Sequence, residues 1–93
     1  MAAQKLIPTQ KSVKLIDGKF DKRDALDIVT RLFHTKIKFH EDRISHLHNE
    51  EDIKMRETRI KNLQSELFHI REFIDKNPEN ISLTTLIQLE IKE

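Results

Sequence analysis

Five histidines are the side chains in this 93-residue sequence best suited to metal binding or proton transfer. They are His34, His40, His46, His48 and His69. Metal ligands on one helical face lie three or four residues apart, and no two of these histidines have that spacing. His34, Glu41 and His48 share a face at intervals of seven. Seven helical residues span about 10 Å, which is too far for ligands of one ion.

Two closer spacings pair a histidine with a carboxylate. Asp42 and His46 are four residues apart, which is typical of a surface ion pair on a helix. Glu66 and His69 match the Glu-x-x-His motif of carboxylate-bridged di-iron bundles, although such a site needs a second motif and further inward glutamates. The rest of the sequence supplies neither, and only a symmetric dimer would duplicate the motif. We therefore predict no metal site and no cofactor.

Patterns typical of catalysis are missing from the sequence. It has no cysteine, so it has no thiolate nucleophile and no disulfide, and it lacks a glycine-rich phosphate loop and a nucleophile elbow. We predict that the protein is not an enzyme and has no catalytic residues. The lack of cysteine fits a reducing compartment, and no segment has the apolar length of a signal peptide or membrane span. We expect a cytoplasmic protein.

Seven basic residues on the predicted helices could contact the phosphates of RNA or DNA. They are Arg31, Lys36, Lys38, Arg43, Lys54, Arg59 and Lys61. Acidic residues are interspersed with them, the net charge is only +1, and the sequence has no Tyr or Trp for base stacking. A solvated helix face of mixed charge is the simpler interpretation. Weak RNA or DNA binding by an accessory protein is the alternative function.

Two amphipathic helices, over residues 21–48 and 50–77, are predicted to position these side chains. In each segment the apolar residues recur at steps of three or four, which places them on one helical face. Asp21 and Asn49 are predicted N-caps of the two helices. The second helix is expected to end before Pro78, because the residue preceding a proline avoids helical geometry.

One continuous helix is the alternative, because neither Gly nor Pro interrupts the two segments. The apolar pattern changes phase near Asn49, however: the first stripe continues past Leu47 only into polar positions, and a second stripe starts at Ile53. This phase change favours a coiled-coil-like antiparallel helical hairpin. Within it, we expect His40 to be a core or interface histidine with one hydrogen bond. Arg56 is expected to lay its aliphatic stem along the seam and keep its charged head in water.

Two β-strands are predicted to flank the hairpin. The first covers residues 12–16 and ends at a predicted turn, Asp17-Gly18. The second covers residues 81–92, where apolar and polar residues alternate with Leu86 as the one exception. Because an antiparallel hairpin returns the chain to its starting point, the strands are expected to pair antiparallel. The predicted fold class is α+β.

The domain prediction is a flexible tail over residues 1–11 and a single domain over residues 12–93. A domain of this size buries a modest core, and a two-stranded ribbon with an apolar strand at its edge favours pairing with another strand. We predict a homodimer or higher homo-oligomer, formed through the terminal strand edge and the helix seams, with an unidentified protein partner as the alternative. The predicted interface residues are Phe33, Ile37, Ile44, Ile60, Leu63, Leu67, Leu86, Ile87, Leu89 and Ile91.

These patterns together predict a small, self-associating protein–protein interaction module. We expect no membrane partner, and nucleic acid is the less favoured partner.

The first half of the chain carries a resemblance to known proteins. Ile16-Asp17-Gly18-Lys19-Phe20, then Ala25, then Lys36-Ile37-Lys38-Phe39-His40 resembles the opening of a group of short, uncharacterised bacterial proteins. That group pairs an Asp-Gly-x-Phe helix start with a Lys-Ile-x-Phe-His segment. The resemblance implies a bacterial origin and carries over neither a site nor a function.

Overall fold

The computed structural model describes residues 9–77 and 79–92. The elements run in the order β1 (Gln10–Phe20), α1 (Lys22–Ile44), α2 (Glu50–Asp75) and β2 (Ile81–Glu90). The two helices form a hairpin and the two strands form an antiparallel sheet, so the predicted α+β fold is confirmed. The described chain divides into two compact units, the hairpin Phe20–Ile81 and the ribbon formed by the strand segments on either side of it.

Both helices begin at the predicted caps. The Asp21 side chain accepts a hydrogen bond of 2.8 Å from the Asp24 N–H, and the Asn49 side chain accepts one of 2.7 Å from the Glu51 N–H. Both capping residues have extended backbone, as N-caps do. Acidic residues in the first turn of α2 also suit the positive end of the helix dipole.

Both helices end earlier than predicted. Helix α1 ends at Ile44, because the N–H groups of His46 and Leu47 bond to carbonyls only three residues back, which tightens and then ends the last turn. Helix α2 ends at Asp75. The connection over residues 45–49 separates the helices, so the hairpin is confirmed over one continuous helix.

The core of the hairpin lies on the facing stripes of α1 and α2. The buried apolar residues of the described chain are Ala25, Val29, Ile37, Leu67 and Ile74. Their spacing within each helix places them on one face, as the apolar pattern predicts. At the open end, the Lys22 ammonium donates a hydrogen bond of 2.8 Å to the Asp75 carbonyl oxygen, which joins the start of α1 to the end of α2.

Strand β1 is longer than predicted. It includes Gln10 and Lys11 from the predicted tail, and it continues through Asp17-Gly18. Gly18 does not have the positive φ of a tight hairpin turn, so the turn prediction is wrong. Pairing with β2 holds the dipeptide in extended geometry instead. Strand β2 ends at Glu90 rather than residue 92, and residues 1–8 of the predicted tail lie outside the described residues.

Two contacts define which ribbon residues lie opposite each other. The Ile91 N–H donates a hydrogen bond of 2.8 Å to the Thr9 carbonyl, and the Gln10 amide donates one of 3.4 Å to the Glu90 carboxylate. Because side chains alternate along a strand, the odd-numbered residues of both strands then share one face. The apolar residues on that face are Val13, Leu15, Ile81, Leu83, Ile87, Leu89 and Ile91.

Candidate functional site

A buried histidine joins the two helices near the closed end of the hairpin. His40 is 3% exposed, and its Nδ1 lies 2.8 Å from the Arg56 Nη1. An arginine side chain only donates hydrogen bonds, so Nδ1 must be the acceptor and the His40 ring must be neutral. Burial of the ring, together with the positive charges of Arg56, Lys36 and Arg59, lowers the pKa of His40 below its usual value.

The two sequence predictions for this pair had different outcomes. His40 is a core histidine with a hydrogen-bond partner, as predicted. Arg56 is half-buried and donates a hydrogen bond from its guanidinium to His40, a contact that the prediction of a head reaching water did not include. The reason is that a buried imidazole nitrogen needs a donor, and Arg56 is the donor within reach.

An exposed aromatic ring lies beside this pair. Phe39 is 46% exposed, the Arg43 guanidinium carbon lies 5.0 Å from its ring centroid, and that of Arg56 lies 5.8 Å away. Both distances are within the range of cation–π attraction. The ring therefore has two guanidinium groups close to it, one from each helix.

We define the Phe39 patch as this ring, the two guanidinium groups next to it, and two further cations close to the adjacent His40 ring. Its members are Lys36, Phe39, Arg43, Arg56 and Arg59. Among the described residues, none of the four cations forms an ion pair with a carboxylate. Next to the patch, Arg56 and Arg59 line a depression of about 210 Å³ together with Leu47, Asp52 and Met55. The patch is thus a positively charged surface with an aromatic centre.

The seven basic residues predicted as nucleic-acid contacts are all exposed, but their surroundings differ. Arg31 pairs with Asp27 at 3.0 Å, and Lys38 pairs with Asp42 at 3.8 Å. Lys54 and Lys61 take no part in the Phe39 patch. The three that belong to the patch are Lys36, Arg43 and Arg59. The sequence did not predict that Phe39 and Arg56 lie close together, because that depends on the register between the helices.

Neither histidine–carboxylate spacing brings the two side chains together, so the ion pair predicted for Asp42 and His46 is absent from the described residues. His46 Nδ1 lies 3.1 Å from the backbone carbonyl of Asp42, not from its carboxylate. His69 pairs with Glu72 at 3.9 Å rather than with Glu66. Within residues 9–77 and 79–92, no three His, Asp or Glu side chains come together in a way that could hold a metal ion.

The hairpin also has an open groove between its helices, with a volume of about 560 Å³. Buried Ile37 and Leu67 contribute to its lining, as does Phe68, which is 59% exposed. The remaining lining residues are polar or charged: His34, Lys38, Glu41, Gln64 and Arg71. Charges of both signs line the groove.

The predicted interface residues fall into two groups. On the helices, Ile37 and Leu67 are buried, and the others are half-buried: Phe33, Ile44, Ile60 and Leu63. On the terminal strand all four are exposed: Leu86, Ile87, Leu89 and Ile91. The prediction missed two exposed apolar residues on β1, Val13 and Leu15, although their alternation was visible in the sequence.

The two strands differ in charge. Strand β1 carries charged residues along its length: Lys11, Lys14, Asp17 and Lys19. Strand β2 has no charged residue before Glu90, and it contains neither Gly nor Pro. Charged side chains, especially lysines, protect the edge strands of natural proteins from pairing with other chains. The free edge of β2 lacks that protection.

No protein-family model, curated protein or solved structure matches this chain. Neither α1 nor α2 contains a stretch long and apolar enough to cross a lipid bilayer.

Proposed function

We propose that this chain is a small, non-enzymatic protein–protein interaction module that self-associates through the free edge of β2. The observation that supports this proposal is the apolar face of the ribbon. Five of its residues, Val13, Leu15, Ile87, Leu89 and Ile91, are between 38% and 61% exposed. A contiguous exposed apolar surface is typical of a protein–protein interface.

Pairing two ribbons would increase the stability of each. A two-stranded sheet is marginally stable alone, and a sheet of three or more strands with an apolar face is not. Antiparallel pairing of β2 with β2 of a second copy gives a four-stranded sheet with two-fold symmetry. The two apolar faces then form one larger surface, and the backbone groups at both β2 edges gain partners.

The distribution of charge favours β2 over β1 as the paired edge. Pairing β1 with itself would bring lysines of the two copies together, and like charges across a strand pair are destabilising. Pairing β2 with itself brings together only apolar and uncharged polar residues before Glu90.

A second copy suits the free β2 edge better than an occasional partner. That edge is part of the folded ribbon, so its backbone groups need partners whenever the chain is folded. Only another copy of the chain is present under all such conditions. Half-buried helix residues such as Phe33 and Leu63 would add contact area if the hairpins also meet.

We also propose that the module works in the bacterial cytoplasm. Two features support this: the cysteine-free sequence, which fits a reducing compartment, and the resemblance in the first half of the chain to short bacterial proteins.

A pair of proline substitutions tests the role of the β2 edge. The Ile91 N–H points toward β1, and backbone groups alternate in direction along an antiparallel strand, so the N–H of Leu86 points to the free edge. By the same alternation, Lys14 lies opposite Leu86 with its N–H at the free edge of β1. Proline lacks an N–H but is tolerated at such edge positions. Leu86→Pro therefore blocks the β2 edge, and Lys14→Pro is its matched control.

Light scattering coupled to size exclusion gives the readout. We expect a dimeric wild type, a monomeric Leu86→Pro variant and a dimeric Lys14→Pro variant, all with the same helical circular dichroism. A wild type that stays monomeric up to high concentration, or a dimer that survives Leu86→Pro, would refute the proposal. A wild-type dimer broken only by Lys14→Pro would assign the interface to β1 and refute the assignment to β2.

A further inference from the structure

We propose that the Phe39 patch binds single-stranded nucleic acid, with phosphates contacting its arginines and lysine and a base stacking on its aromatic centre. This surface lies on the hairpin and does not depend on self-association through β2.

The first support is uncompensated charge. The Arg43 and Arg56 guanidinium carbons lie 5.0 Å and 5.8 Å from the Phe39 ring centroid, Lys36 and Arg59 lie close to the adjacent His40 ring, and none of the four forms an ion pair within the described part of the chain. Burial and, after it, the charges of Arg56, Lys36 and Arg59 lower the pKa of the neighbouring His40. Clustered like charges repel one another, and a bound anion relieves that repulsion.

The second support is the arrangement of the cations. Lys36 and Arg43 are seven residues apart on α1, about two turns or 10 Å along the helix, and Arg56 and Arg59 come from α2. The positive charges therefore follow an extended path over both helices. A polymer with regularly spaced phosphates matches such a path better than a single small anion does.

The third support is the exposed ring itself, which favours a single strand over a duplex or an acidic peptide. Proteins that bind single strands without sequence preference combine a positive surface with aromatic side chains on which bases stack. The Arg43 and Arg56 guanidinium groups lie over the ring, 5.0 Å and 5.8 Å from its centroid, and such planes can themselves stack on a base. Bases in a duplex are already stacked on one another and are not available to stack on the ring. The carboxylates of an acidic peptide do not stack on an aromatic face.

Fluorescence anisotropy with a labelled oligouridine tests the proposal. The patch variant is Arg43→Gln combined with Arg59→Gln, which leaves the structural Arg56–His40 contact intact. The matched control is Arg31→Gln combined with Lys38→Gln, which removes the same charge from residues that are already ion-paired. We expect the patch variant to bind about tenfold more weakly and the control to change by less than about twofold, in a buffer of about 50 mM salt.

A third variant, Phe39→Leu, keeps an apolar side chain but removes the stacking surface. We expect it to weaken binding by about tenfold while leaving the salt dependence of the affinity unchanged, because it removes no phosphate contact. The patch variant should reduce the salt dependence. Circular dichroism of each variant reports whether the hairpin remains folded.

Several outcomes would overturn the proposal. One is a wild type that does not bind oligouridine at low salt. Another is an equal loss of oligouridine affinity in the patch and control variants, which would mean that binding depends on net charge and not on the patch. Tighter binding to duplex RNA or to polyglutamate than to oligouridine would assign the patch to a different kind of partner.

Discussion

The hairpin and the ribbon bury their apolar residues to very different extents. In the hairpin, residues such as Ala25, Val29 and Ile74 are no more than 6% exposed, whereas Leu89 and Ile91 on the ribbon side are each 61% exposed. Two helices can close their apolar stripes against each other within one chain. A two-stranded ribbon has no second layer of its own, so its apolar face needs another element to cover it. The hairpin thus has a buried core of its own, although Phe68 and Phe73 on its surface are 59% and 66% exposed, whereas none of the described ribbon residues is buried.

The largest expected effect comes from making the same substitution, isoleucine to alanine, in both regions. Ile74 is 3% exposed and Ile87 is 38% exposed. We expect Ile74→Ala to lower the free energy of unfolding by about 3 kcal/mol because it leaves a cavity in the seam. Ile87→Ala should cost about 1 kcal/mol in the monomer, since less apolar surface is lost. Urea denaturation measures both.

Protein concentration sharpens the same test. If the ribbon is an interface, the loss caused by Ile87→Ala grows at higher protein concentration, because the wild type is then stabilised by association. The loss caused by Ile74→Ala should not grow in this way. Equal losses for the two variants at every concentration would contradict the contrast between the regions.

A smaller, pH-dependent effect is expected at His40. Its pKa is lowered in the folded protein, chiefly by burial, so the unfolded chain binds a proton at this ring more readily than the folded one. Stability from this group is therefore complete above the ordinary histidine pKa of about 6.5 and declines as the pH falls below it. His40→Gln should remove that decline, since the glutamine carbonyl can still accept from Arg56.

The control for this prediction is His34→Gln, which alters an exposed histidine. Urea midpoints of the wild type and both variants, measured above and below the histidine pKa, provide the comparison. We expect His34→Gln to follow the wild type. If the urea midpoint of His40→Gln changes with pH as that of the wild type does, the buried histidine does not link folding to pH.

The smallest effect concerns the cap that starts α2. Asn49→Ala removes the acceptor for the Glu51 N–H and should cost about 1 kcal/mol. Asn49→Asp keeps an acceptor and should be nearly neutral, as checked by thermal unfolding. An alanine variant as stable as the wild type would mean that the cap does not contribute to stability and that packing between the helices alone determines where α2 begins.

The success of the sequence predictions depended on how local the interactions were. Asp21 and Asn49 were found as caps because a cap is formed by residues two or three positions apart. The alternation over residues 81–92 predicted β2 for a similar reason. Asp17-Gly18 was predicted wrongly as a turn, because strand pairing overrode the local preference of that dipeptide.

The candidate sites depended on long-range register and were harder to predict. The sequence placed His40 and Arg56 each on an apolar stripe, but nothing in either helix alone shows that they meet. The sequence alone also does not distinguish the basic residues from one another. In the structure, Arg31 and Lys38 form ion pairs, whereas Arg43 lies over the Phe39 ring. Sequence periodicity gives the face of a residue but not its partner on the other helix.

The hydrogen bond from Arg56 to Nδ1 has a spectroscopic consequence. It assigns the single ring proton of His40 to Nε2, so that one tautomer is fixed in the folded protein. The imidazole nitrogen shifts of His40 should therefore report on hairpin formation, with the fixed tautomer in the folded state and a mixture of tautomers once the helices separate. In isotope-labelled protein, this one ring reports whether the two helices are paired.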